Sequence, residues 1–204
     1  MIERNARRIF SCVGGLAVAT IGAQVALAHP DGGVGHTHAV GGFGAGLAHP
    51  LTGLDHALAM LAVGLWAAQL GGRALWAVPA AFVAMMIVGA GLSQAGLQLP
   101  MVESGIVASI VVVGLCVAIA LRPPVAAAAV SVALFAMFHG HAHGSELPFG
   151  ASAATYAGGF AISTALIHAA GISLGFAIMQ IRSQVALRIA GGAVALGGAT
   201  LATL

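Results

Sequence analysis

Apolar residues run along this chain in long stretches, interrupted by short joints where glycine, proline and polar side chains gather. Beyond residue 43 there are six such stretches, at about 44–70, 74–95, 101–121, 124–143, 153–180 and 185–204. A helix needs about 20 apolar residues to cross a bilayer, and each stretch is near or above that length. The joints QLGGR, GLQLP, LRPPV and SELPFG carry the Gly and Pro signals of turns. None is long enough to separate two domains. The pattern predicts one all-α polytopic membrane domain over residues 44–204, with six transmembrane helices. Small residues dominate segments such as GGFAISTALIHAAG and AGGAVALGG, which suits close helix packing in lipid.

The first 43 residues follow another pattern. Arg4, Arg7 and Arg8 precede an apolar run from Ile9 to about Ala23, and Ala26–Ala28 supplies a small-x-small site before His29. These are the parts of a secretory signal peptide, expected over residues 1–28. The rival reading is an uncleaved first transmembrane helix. With cleavage, residues 29–43 become a short His-containing periplasmic tail. Cys116 is then the one cysteine left, mid-segment in an apolar helix, where packing is its expected role.

Composition narrows the function. The chain is 60% hydrophobic and 6% charged, against about 25% charged in soluble domains. A net charge of +2 offers no basic patch for nucleic acid. There is no lysine, which excludes a P-loop and a Schiff-base nucleophile. The chain therefore does not hydrolyse ATP by itself. Arg73, Arg122, Arg182 and Arg188 all fall on one side of the bilayer if the mature N-terminus starts outside. That side is cytoplasmic by the positive-inside rule. The expected setting is the bacterial inner membrane, multi-pass, with a periplasmic N-terminus.

Nine histidines outnumber five carboxylates, and most of the ionisable groups in the apolar stretches collect in one layer. AHPLTGLDH places His49, Asp55 and His56 in the outer half of the first span. FHGHAHGSE places His139, His143 and Glu146 at the outer end of the fourth. Ionisable side chains at membrane depth usually face a cavity, a partner or a pathway. His139 and His143 are i and i+4 on one helix face, and Glu146 continues the stripe. Imidazoles with a carboxylate suit a borderline divalent metal. His141 points elsewhere on a regular helix. His49 and His56 would be about 10 Å apart on a straight axis. A kink at Pro50 is therefore expected to free the Gly46 carbonyl and bring the two together. The competing reading makes Thr52 and Asp55 a capping box. His168, near the middle of the fifth span, serves either a pathway or a neighbouring group. His29, His36 and His38 form a short outer tract able to gather metal. Glu103 opens the third span as a ligand or as a helix-capping acid. The methionines are scattered, unlike a Cu(I) path.

Together these two motifs resemble the HupE/UreJ family of nickel and cobalt permeases. The first-span pattern is carried by His49, Pro50, Gly53, Asp55 and His56; the fourth-span pattern by Phe138, His139, Gly140, Ala142, His143, Gly144 and Glu146. The resemblance implies secondary uptake of Ni²⁺ or Co²⁺, for urease, hydrogenase or cobalamin enzymes. It implies no catalysis and no prosthetic group; the partners are the transported ion and the lipid bilayer. His141 and the histidine tract lie outside the pattern. The residues alone leave a second class open, a membrane-embedded zinc hydrolase with Glu146 or Asp55 as general base. No HExxH motif accompanies it. Three spans on each side of the middle, entering from opposite faces, permit an inverted 3+3 repeat.

Overall fold

A computed structural model describes residues 38–181 and 183–203, all of them helix or short joint. The helices are α1 (His38–Thr52), α2 (Leu54–Leu70), α3 (Ala74–Gln94), α4 (Val102–Ala118), α5 (Val125–Ser145), α6 (Ala153–Gln180) and α7 (Gln184–Leu201). The expected signal peptide, His29, His36 and Arg182 lie outside the described residues, as does the side chain of His38.

Helix is the form that satisfies backbone hydrogen bonds within each apolar segment, which lipid requires. Helices α3, α5, α6 and α7 are long and apolar enough to cross a membrane, and α1 with α2 forms a bent fifth candidate. The apolar α4 has 17 residues. The described residues thus form an all-α polytopic membrane protein with four or five candidate spans. Val130, Leu134, Ile189 and Leu196 project outward, an apolar exterior suited to lipid. The interior is built on Phe82, Phe160, Met60, Leu65 and Met86.

The first segment departs from expectation in two ways. Its helix has already begun at His38, ahead of residue 44. It then runs through Pro50 and breaks at Gly53, where α1 and α2 meet at 79°. Gly53 is extended (φ −90°, ψ 111°) and precedes α2 with no side-chain cap. The sharp bend thus falls at Gly53 rather than at Pro50, and the Thr52–Asp55 capping box does not form. Thr52 Oγ1 instead donates to the His49 carbonyl at 2.8 Å, and Asp55 turns to its neighbour His56.

Glycines set the helix pairs. A Cβ on Gly46 would strike the Tyr156 carbonyl, and one on Gly159 that of Phe43, so α1 and α6 touch backbone to backbone. Gly64 and Gly171 do the same for α2 and α6, Gly89 and Gly140 for α3 and α5, and Gly114 and Gly191 for α4 and α7. These are the close small-residue contacts that replace a hydrophobic driving force between helices in lipid.

The two ends of the bundle differ in chemistry. At one, carbonyls at the end of α4 and in the joint after it are taken by Trp66, Gln69 and Arg188, which donate to Leu121, Val117 and Ala118. Those bonds gather the joints that carry Arg73 and Arg122 beside Arg188 in the first turns of α7. At the other end lie the break in α1–α2 and the C-terminus of α5, with the histidines.

Candidate metal centre

The bend at Gly53 does what a straight helix could not. It folds His49, in the last turn of α1, back over α2, and the ring centres of His49 and His56 come within 6.2 Å. Gly53 is needed here for space. A Cβ would lie 2.9 Å from Asp55 Oδ1 and 3.2 Å from His56 Nδ1. The motif's glycine and its Asp-His pair are thus one unit: the carboxylate sits over the bare backbone and receives the imidazole at 2.9 Å. Asp55 also accepts from the His56 backbone at 2.8 Å and stands in the first turn of α2, where an acid offsets the positive helix end.

Helix α5 supplies the opposite wall. His139 and His143 lie one turn apart and both are fully buried; Glu146 follows at the helix end. His49 Nε2 meets Glu146 Oε2 at 2.6 Å. The ligand atoms of His49, His143 and Glu146 all lie within 4.8 Å of one another, the one such group of three among the described residues. His49 and His143 stand in the last turns of α1 and α5, at the negative ends of those helices, which favours a cation. Exposure falls along the group: the Glu146 side chain is 52% accessible, that of His49 30%, and His143 is closed off. The site is open at one side and dry at the other.

Five of the six principal candidates therefore converge as rings or carboxylates around His143 and His56, with Asp55 behind His56. His139 joins through His56, with ring centres 5.1 Å apart. His141 stands apart, as its helical angle required: its Nε2 faces the Leu97 carbonyl at 2.9 Å and the Leu99 amide at 3.3 Å. His168 lies deeper, against Phe82 at 5.0 Å, with both ring nitrogens unpartnered. Glu103 is exposed in the first turn of α4 and belongs to no metal-ligand group among the described residues.

Three neighbours have no role in the sequence reading. Phe160 of α6 stacks on His143 at 4.9 Å, Tyr156 approaches His49 at 6.2 Å, and Ser109 of α4 meets His139 Nε2 at 2.9 Å. The aromatic pair carries no pattern that separates it from packing residues. Ser109 is a hydroxyl inside an apolar span, which is the signal that could have found it.

The family described as HupE / UreJ protein matches residues 16–201. The chain belongs to the HupE/UreJ family. It is similar to Protein HupE of Rhizobium leguminosarum bv. viciae, 47% identical over 179 residues that cover 86% of this chain and 93% of that protein. No solved structure matches. Membership makes this HupE/UreJ chain a bacterial multi-pass membrane permease of the divalent-metal class rather than an enzyme, and gives the zinc hydrolase no support.

Proposed function

We propose that this permease takes up Ni²⁺ or Co²⁺ from the periplasm across the inner membrane, with His49, His143 and Glu146 as the first ligands the ion meets. The carrying observation is the convergence of those three side chains from two helix ends, within 4.8 Å, at the open side of the bundle. Without an ion, His49 and Glu146 hold each other at 2.6 Å. An arriving divalent ion takes the place of that contact and gains both donors at once. His143 then contributes nitrogen from the dry side, replacing water with ligands from borderline to hard, a mixture that fits nickel and cobalt. Asp55 acts behind His56, fixing which ring nitrogen is bare, the usual task of a carboxylate beside a metal-binding imidazole.

Six spans complete this reading, with α1–α2 as one discontinuous span and α4 as a short one. A broken helix at mid-site is the form in which transporters expose backbone and ligands inside a membrane. The helix pairing supports a 3+3 inverted repeat: exchanging first, second and third spans with fourth, fifth and sixth turns the α3–α5 pair into the α6–α2 pair and leaves α4–α7 as itself. The arginine joints at the far end support a cytoplasmic face there, and a signal peptide over 1–28 leaves the N-terminus periplasmic. Uptake of ⁶³Ni by cells expressing the chain, with and without His49→Ala/Glu146→Gln, tests the proposal. Uptake that survives the double replacement would sink it.

A further inference from the structure

Four histidines form a file that goes deeper than the outer three donors. Ring centres lie 4.9 Å apart from His49 to His143, 4.7 Å from His143 to His56 and 5.1 Å from His56 to His139. Two imidazoles bonded to one ion at about 2.0–2.1 Å hold their ring centres roughly 5 Å apart. The spacing therefore fits an ion at each step.

Hydrogen bonding fixes the protons on the two inner rings. Ser109 Oγ donates to the Ile106 carbonyl at 2.6 Å, which uses its one proton. At its 2.9 Å contact with His139 Nε2 the imidazole must then be the donor. His139 keeps its proton on Nε2, and its Nδ1 is bare, buried and without a partner among the described residues. The Asp55 carboxylate accepts from His56 Nδ1–H, so His56 Nε2 is likewise bare, buried and without a partner among the described residues. Buried polar atoms are nearly always paired, and those that are not call for an explanation. Here two lone pairs on different helices are held free by two different neighbours.

We infer that His56 Nε2 and His139 Nδ1 form a second, inner position for the divalent ion, and that Ser109 is the positioning residue that fixes His139 for it. This rests on the permease reading of the outer site. Among the described residues His143 has both ring nitrogens unpartnered, and it adjoins His49 and His56 alike. It can stay beside the ion as the ion passes inward from one position to the other. The outer position carries the Glu146 charge and captures the ion. The inner one offers neutral nitrogen, holds it less tightly and suits release.

Purified full-length protein in detergent, titrated with Ni²⁺ and examined by X-ray absorption, tests this. With His49→Ala/Glu146→Gln the chain should still bind one Ni²⁺, at least tenfold more weakly, with scattering from two or more imidazoles. Adding Ser109→Ala should weaken binding at least tenfold further and lower the imidazole count, and Ser109→Thr, which keeps the hydroxyl, should restore both. Loss of all Ni²⁺ from the double variant, while wild type binds, would overturn the inner position and leave the outer site standing. Unchanged affinity and imidazole count on adding Ser109→Ala would overturn the positioning role. A wild-type chain that binds no Ni²⁺ would overturn both positions and the proposed function with them.

Discussion

His141 and His143 stand two residues apart on α5, both buried, and face opposite conditions. The His141 side of the helix lies on the α3–α4 joint. There the ring meets Leu97 and Leu99, Gly140 and Gly144 press against Met86 and Ala90, and Gln94 donates to the Gly144 carbonyl. The His143 side faces α1, α2 and α6, and neither of its ring nitrogens has a partner among the described residues. One histidine has been given something to do by the fold. The other has been kept free at the price of an unsatisfied buried ring, and that difference separates a structural imidazole from the one proposed as a ligand.

The largest effect should come from removing the free ring. His143→Leu should reduce ⁶³Ni uptake at least 100-fold, to background. It should leave the thermal midpoint in detergent equal to or above wild type, because an unpaired buried polar group costs about 1–3 kcal/mol. A variant that melts early and still takes up nickel would invert the contrast between the two histidines. Asp55→Asn comes next. It keeps the shape and weakens the hold on His56 Nδ1–H, so in the His49→Ala/Glu146→Gln background, where the inner position alone is left, affinity for Ni²⁺ should fall about 10–100-fold, as for other groups that orient a metal-binding imidazole. Titration of the purified triple variant would measure it, and affinity equal to that of the double variant would remove Asp55 from the site.

Gly53→Ala probes the same unit from the backbone. The added Cβ would meet Asp55 Oδ1 and His56 Nδ1, forcing the pair off its position without touching the helix pairs. Uptake should drop about tenfold with protein abundance in the membrane unchanged, on the scale at which displacement of a ligand's supporting group acts. Equal abundance and full uptake would show that the close approach is unimportant.

That position also marks where sequence reading ended. The apolar runs gave helix limits within a few residues for α3, α5 and α6, because continuous hydrophobicity and Gly/Pro joints are local signals. The i, i+4 pairing of His139 and His143, and the exclusion of His141, followed from helical angle alone. The break was misplaced to Pro50 because proline is the visible helix breaker. The helix instead carries Pro50 and ends at Gly53, whose need for space arises only once Asp55 and His56 fold over it. The conclusion drawn from the kink, that His49 reaches His56, held for a different reason. Ser109 stayed hidden because its role depends on where α4 packs against α5.

The smallest effect should fall on the structural histidine. His141→Leu removes the partner of the Leu97 carbonyl and the Leu99 amide, at the joint where α3 turns into α4. One ring nitrogen serves those two groups by one tautomer or the other, so one hydrogen bond is lost, worth about 0.5–1.5 kcal/mol, with some desolvation added if the joint cannot reach water. The thermal midpoint in detergent should therefore fall by a few degrees, the opposite direction from His143→Leu. Uptake per folded molecule should stay within a few-fold of wild type, since the ring lies on the other side of α5 from the bare nitrogens. Measuring uptake against membrane abundance separates the two contributions. If His141→Leu lost uptake as completely as His143→Leu at equal abundance, the two sides of α5 would not be separate, and the ion's path would have to include the α3–α4 joint.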